Sequence, residues 1–159
     1  MAAKVKPIPD GFHSITPGLV CKDAARAIDF YKKAFGAKER MRMPTPDGKI
    51  GHAELQIGDS VLFLGDEFPQ MGAVAPTGPQ SVSLFVYLED VDTVFNRAVA
   101  AGAKVDMPVT DQFWGDRYGK LTDPFGHHWG LATHTEDVSP EEMDRRGKEY
   151  AKKMAAGKS

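Results

Sequence analysis

Cysteine occurs once in the 159 residues, as Cys21, so no internal disulfide framework holds this chain and no paired-cysteine zinc pattern is available to it. No apolar signal region follows Met1, and the longest apolar runs are only strand-sized, too short to span a bilayer. These absences set the expectation of a reducing cytoplasm with no membrane partner. Charge of one sign is missing too. The 20 basic and 22 acidic residues are interspersed and leave a formal charge of −2, which gives no footprint for a phosphate backbone, so nucleic acid is not expected as a partner. Glycine-rich phosphate loops and Ser-His-Asp spacing are also lacking. What remains, 42% hydrophobic and 26% charged residues, is the composition of one globular domain or of two small modules sharing a core. Cys21, in GLVCKD, reads as a small core residue rather than a nucleophile.

The chain repeats itself. GLVCKDAARAIDFYKKAFGAK and LFVYLEDVDTVFNRAVAAGAK, about 66 residues apart, each read as an apolar strand, an acidic helix start, a helix and a closing Gly-Ala-Lys. In the first copy Asp23 is the expected N-cap, and Ala27, Ile28, Tyr31, Ala34 and Phe35 form one face at helical spacing. Gly36 ends that helix. In the second, Asp90 or Asp92 opens the helix, Val91, Val94, Phe95 and Ala98 make the stripe, and Gly102 stops it.

Three strand-like stretches follow each helix: ERMRMP, IGHAELQI and SVLFLGD, then KVDMPV, YGKLTD and HWGLAT. The turns TPDG, IGDS and DPFG between them carry the Gly, Pro and Asp that tight turns need. Each half is therefore βαβββ. We place module one at about 14–68, a Pro/Gly-rich linker at about 69–80 and module two at about 81–135, all within a single domain covering about 1–137. The tail, about 138–159, opens with Ser139 as N-cap, Pro140 at the first helical position and Glu142 completing a capping box, and predicts an exposed helix fraying after Ala151.

Two tandem modules of this kind, with AIDFYKKAFGA in the first and DPFGHHWGL closing the second, resemble the vicinal oxygen chelate superfamily of glyoxalase I, bleomycin-resistance proteins, fosfomycin-resistance enzymes and extradiol dioxygenases. ITPGLVCKDAARAIDFYKKAFGA, HAELQIGDSVLFLGDE and FWGDRYGKLTDPFGHHWGLATHTED are similar to its PhnB-like subgroup. The resemblance implies an α+β fold in which two tandem βαβββ modules form a barrel-like cavity with helices outside, here with a C-terminal helix added. It also implies a homodimer.

Metal-dependent relatives hold their ion with His or Glu from the first and last strand of each module. Counted from the landmarks of this sequence, those positions fall on Thr16, Phe63, Ser83 and Gly130. Two hydroxyls, a phenyl ring and a hydrogen are not a donor set for a divalent transition metal, so neither metal nor other cofactor is expected. His128 and His134 share a strand face but are about 20 Å apart at roughly 3.3 Å per residue, too far to chelate one ion together. His127 and His128 point to opposite faces.

Without a metal, two groups of residues remain. IGHAELQI separates into apolar Ala53, Leu55 and Ile57, expected under the helices, and polar His52, Glu54 and Gln56, expected on the cavity face. His52 beside Glu54 is an acid/base pair in type, or else part of a solvated sheet face. DQFWGDRYGKL brings Phe113, Trp114, Arg117 and Tyr118 together, with apolar area, polar handles and a guanidinium fork for a small planar or anionic ligand. The alternative for that cluster is structural, with Trp114 plugging the barrel end and Arg117 paired to an acid such as Asp116 or Asp123. Phe85 and Tyr87, alternating with Ser83, extend the aromatic wall, and His128 is expected at the cavity rim. Met41 and Met43 read as core filling.

The reading that results is a protein that binds or sequesters a small organic metabolite or antibiotic. Its alternative is a glyoxalase-like lyase or isomerase using His52 and Glu54, or a displaced metal site.

Overall fold

Asp23 and Asp90 begin both helices: each side chain accepts the backbone N–H three residues on, from Arg26 and Thr93 respectively, at 3.1 Å. The structure, a computed structural model, describes residues 5–157. In chain order these form β1 (Gly18–Cys21), α1 (Ala24–Phe35), β2 (Lys38–Pro44), β3 (Ile50–Ile57), β4 (Ser60–Asp66), a short 3₁₀ turn (Pro69–Met71), β5 (Ser83–Tyr87), α2 (Val91–Ala100), β6 (Lys104–Asp111), β7 (Asp116–Thr122), β8 (His128–His134) and α3 (Pro140–Ala156). The repeat is thus two α+β modules, with sheet orders β1-β4-β3-β2 and β5-β8-β7-β6. In each, the first strand runs parallel to the last and the other pairings are antiparallel. Pro44 and Pro108 lie in the edge strands β2 and β6, where a missing N–H costs no ladder bond.

Each helix buries one stripe on its own sheet. In α1 the buried positions are Ala24, Ala27, Ile28, Phe30, Tyr31, Ala34 and Phe35, facing Ala53, Leu55 and Leu64 of the sheet. In α2 they are Val91, Phe95 and Ala98. Phe95 lies across Gly119 so closely that a Cβ there would be 2.8 Å from its ring. A larger residue at 119 would lift the helix off β7.

The modules meet through their helices and through the DPFG turn. The Arg97 guanidinium of α2 donates to the carbonyl of Ala34 in the last turn of α1, at 2.8 Å, satisfying an acceptor the helix end leaves open. Asp123, 4% exposed, takes four donors: the Tyr31 hydroxyl at 2.6 Å, the Trp129 indole N–H at 2.9 Å, and the backbone N–H groups of Phe125 and His127. His127 Nε2–H then donates to the carbonyl of Val20 on the free edge of β1, at 3.0 Å. Around this carboxylate stack Phe30, Phe35, Phe125 and Trp129, with Phe35 and Trp129 ring centres 4.8 Å apart. Cys21 is fully buried beside it, and burial with the Asp123 charge pushes its thiol up to about 12.

Two details of the tail differ from the sequence expectation. Helix α3 continues to Ala156, because Glu149 pairs with Arg145 one turn before it and Lys153 one turn after. The Ser139 hydroxyl accepts the Glu142 N–H, but the Glu142 carboxylate is held by Arg145 and Arg146 instead of turning back to close the capping box. Residues 158–159, at the end of the predicted tail, lie outside the described residues.

Candidate functional site

The period of two along each strand divides every sheet into a face under a helix and an open face. On β3, Ala53, Leu55 and Ile57 are buried while His52, Glu54 and Gln56 stay part-exposed. Cross-strand pairing puts Met43 beside His52, and Met41 and Phe63 beside Glu54. Met41 and Met43 are exposed there, so they do not fill the core: they occupy the solvent side of an edge strand. The His52 Nε2 lies 3.7 Å from Glu54, and Arg40 stands 3.8 Å from the same carboxylate. Phe63 packs against the His52 ring at 4.8 Å and against Phe12, which Arg40 covers.

The second sheet's open face is aromatic. Phe85 and Tyr118 stack with centroids 5.2 Å apart and planes 14° from parallel. Tyr87 lies 5.0 Å from Phe85, and Trp114 lies 5.9 Å from Tyr118. The stack rests on Gly130, where a Cβ would come within 2.9 Å of the Tyr118 ring and 3.0 Å of Phe85. Glycine at this position is what lets the two rings lie flat against the sheet. Phe85 is 48% and Tyr87 63% exposed, far more than aromatic side chains without a partner ordinarily show.

A buried carboxylate orders the rim of this wall. Asp116, 3% exposed, accepts from the Trp114 indole at 2.9 Å, the Tyr87 hydroxyl at 3.1 Å and His134 Nδ1 at 2.8 Å. The other His134 nitrogen faces Asp137 at 2.9 Å. With a carboxylate on each side, the ring can donate from both nitrogens only when protonated, and the bonds to Asp137 and Asp116 raise the His134 pKa above its ordinary value.

Other predicted residues are occupied within the chain. Arg117, one position from Tyr118, points to the opposite face. Its fork is filled by Asp92 at 2.5 and 2.7 Å, with Asp111 at 3.1 Å on the third nitrogen. Its partners are therefore neither Asp116 nor Asp123, because those two carboxylates are saturated by other donors. His128 uses Nε2 to accept the Gln80 N–H at 3.1 Å and Nδ1 to donate to Thr122, 2.8 Å away, whose hydroxyl donates on to Asp106. It pins the linker to the rim of the second sheet. Sequence reasoning missed Asp116 and Lys120, although the alternation on β7 that exposes Tyr118 puts both beside it on the same face.

The four positions where metal-binding relatives place their ligands do not fit an ion: Phe63 is packed among rings and Gly130 lies under the Phe85–Tyr118 stack. Among the described residues no three His, Cys, Asp or Glu side chains are grouped to hold a metal. His52 borders a groove with Phe63, Gly65 and Phe68, whereas Tyr118, Lys120, His128 and Gly130 border a separate cleft of about 290 Å³. A larger cleft of about 480 Å³ runs along the junction of the modules, between Thr16–Pro17, the β3–β4 turn and β5.

Comparison with known proteins agrees with this architecture. An uncharacterised protein of Mycobacterium bovis is 45% identical over 148 residues, covering 90% of this chain and 93% of its own. The crystal structure of TioX from Micromonospora sp. ML1 matches with a TM-score of 0.62 at 30% identity, over 77% of this chain and 98% of that one. A structure from Bacillus cereus described as a putative 3-demethylubiquinone-9 3-methyltransferase, PhnB protein, shares the fold with a TM-score of 0.62 at 22% identity, over 76% of this chain and 99% of its own. The family profile of the Glyoxalase/Bleomycin resistance protein/Dioxygenase superfamily matches residues 11–131. With its paired βαβββ modules, its DPFG junction and this match, the chain belongs to the glyoxalase/bleomycin resistance protein/dioxygenase superfamily.

Proposed function

We propose that this protein binds a small organic molecule through a planar ring laid against the aromatic face of its second sheet, and that it does so without a divalent metal. The observation that carries the reading is the Phe85–Tyr118 stack on Gly130, flanked by Tyr87 and Trp114, with Phe85 and Tyr87 open to solvent in a single chain and Tyr118 and Trp114 half-buried. Rings offered flat and exposed supply stacking area with little entropy to lose, because Asp116 already fixes Trp114 and Tyr87. The superfamily's ligand positions, holding a phenyl ring and a glycine, support binding or sequestration over metal-assisted chemistry.

The exposed apolar residues outside the ring-binding face, Met41, Met43 and Val105, support a homodimer in which a second copy covers them. The balanced charge and the single buried thiol suit a reducing cytoplasm, with no nucleic acid or membrane as partner. A second reading, a lyase or isomerase, rests on the 3.7 Å approach of His52 to Glu54 on an accessible face.

Binding is tested by Trp fluorescence and thermal shift against a panel of planar aromatic metabolites and antibiotics. A ligand that quenches Trp114 and raises the melting temperature, with both effects lost in Tyr118→Ala, is the expected result. A panel that leaves the wild type unshifted refutes the reading. Turnover abolished by His52→Ala with binding intact would favour the enzyme instead.

A further inference from the structure

We infer that the cleft beside Gly130 is an oxyanion subsite, in which Lys120 with the hydroxyls of Tyr118 and Ser83 holds a carboxylate or phosphate carried by the ring-bearing ligand; this rests on the binding reading above. Lys120 sits on β7 directly across from Gly130 of β8, and Phe85 of β5 sits on the other side of the same glycine. Ammonium and aromatic stack therefore flank one residue that has no side chain to separate them.

Lys120 has no ion-pair or hydrogen-bond partner among the described residues, and neither has the hydroxyl of Tyr118 or of Ser83. Arg117 is filled by Asp92 and Asp111 and Arg146 by Glu136 and Glu142, while Lys104, likewise without a partner among the described residues, lies on the edge strand β6 and does not line this cleft. Lys120 and the two hydroxyls line the same cleft of about 290 Å³. The one acid lining it, Asp106, accepts the Thr122 hydroxyl at 2.6 Å and lies 3.8 Å from His128, so its charge is directed to that pair. An ammonium and two hydroxyls offer an oxyanion its donors, while the stack alongside takes a ring.

Three probes of one shape separate the contributions: 2-naphthoate, 2-naphthyl phosphate and the neutral 2-naphthamide, titrated into the full chain by calorimetry at low and high NaCl. One or both anions should bind about tenfold tighter than the amide, the factor expected of a hydrogen bond to a charged group, and the preference should shrink with salt. Which anion wins identifies carboxylate or phosphate. Lys120→Met should erase the preference and leave amide binding unchanged, and Lys120→Arg should keep most of it. The residue is exposed, so both variants should retain the wild-type circular dichroism spectrum.

Equal binding of acid and amide by the wild type, or an acid preference that survives Lys120→Met, overturns the subsite while leaving the ring-binding face intact. If none of the three probes binds a folded protein, the ring-binding reading falls and the subsite with it.

Discussion

Removing the Tyr31 hydroxyl should cost more stability than any other single-atom change in the helices, because of what it touches. Tyr31 is fully buried in α1 of the first module, and its O–H lies 2.6 Å from Oδ2 of Asp123 in the second. That oxygen has one other donor, the Trp129 indole at 2.9 Å, and Oδ1 is held by two backbone N–H groups. Tyr31→Phe leaves a buried carboxylate short of one donor. A hydrogen bond to a charged group contributes about 1.5–3 kcal/mol, so we expect a loss of about 2 kcal/mol, or roughly 4–8 °C in melting temperature for a domain of this size.

Asp123→Asn turns an acceptor into a donor facing the phenol and indole, at about 3 kcal/mol. The double variant should cost little more than Asp123→Asn alone, a coupling of about 2 kcal/mol. Equilibrium urea unfolding of the four proteins reads this cycle. A loss under about 0.5 kcal/mol for Tyr31→Phe, or costs that simply add, would show that the carboxylate is not what joins the modules. Burial and the Asp123 charge also hold the Tyr31 phenol well above its ordinary pKa, so ultraviolet titration should show it ionising only when the protein unfolds.

Cys21, with its thiol pushed up to about 12, should resist a disulfide reagent at pH 8 in the native state and react on unfolding. His134, raised by Asp137 and Asp116, should titrate above about 6.5 by NMR. Since its folded pKa is raised, its contribution to holding the β8 end is present at low pH and lost as pH rises through the folded value, and Asp137→Asn should bring the midpoint back down. Gly130→Ala should displace the Phe85–Tyr118 stack by overpacking, costing about 1–3 kcal/mol and weakening ligand binding, both visible in one titration calorimetry and denaturation series. Deleting α3, which fully buries none of its residues, should lower the melting temperature only slightly, because it removes surface ion pairs, the Arg146 hydrogen bond to the Phe113 carbonyl and the Tyr150 ring contact with Phe113.

The two βαβββ modules were legible in the sequence because they rest on local chemistry. Asp23 and Asp90 cap helices wherever those helices end up, Gly36 ends one by adopting a positive φ of 68°, and the alternation in IGHAELQI separates buried from open residues before any partner strand is known. The tertiary structure decided everything that depends on distance between modules. Asp123 reads from sequence as a turn residue, but it is the carboxylate to which α1 is bonded.

Parity on β7 already separates Arg117 from Tyr118, yet only the position of α2 shows that Asp92 fills its fork. The same parity places Lys120 on the aromatic face, but a lone lysine in YGKLTD carries no signal. Its meaning depends on Gly130 lying across the ladder and on no acid among the described residues pairing with it. Caps, turns and strand faces follow from the order of residues, because they involve neighbours within a few positions. Which charges are spent and which remain free is a property of the packed molecule, because a charge is answered by whatever the fold brings within a few ångströms.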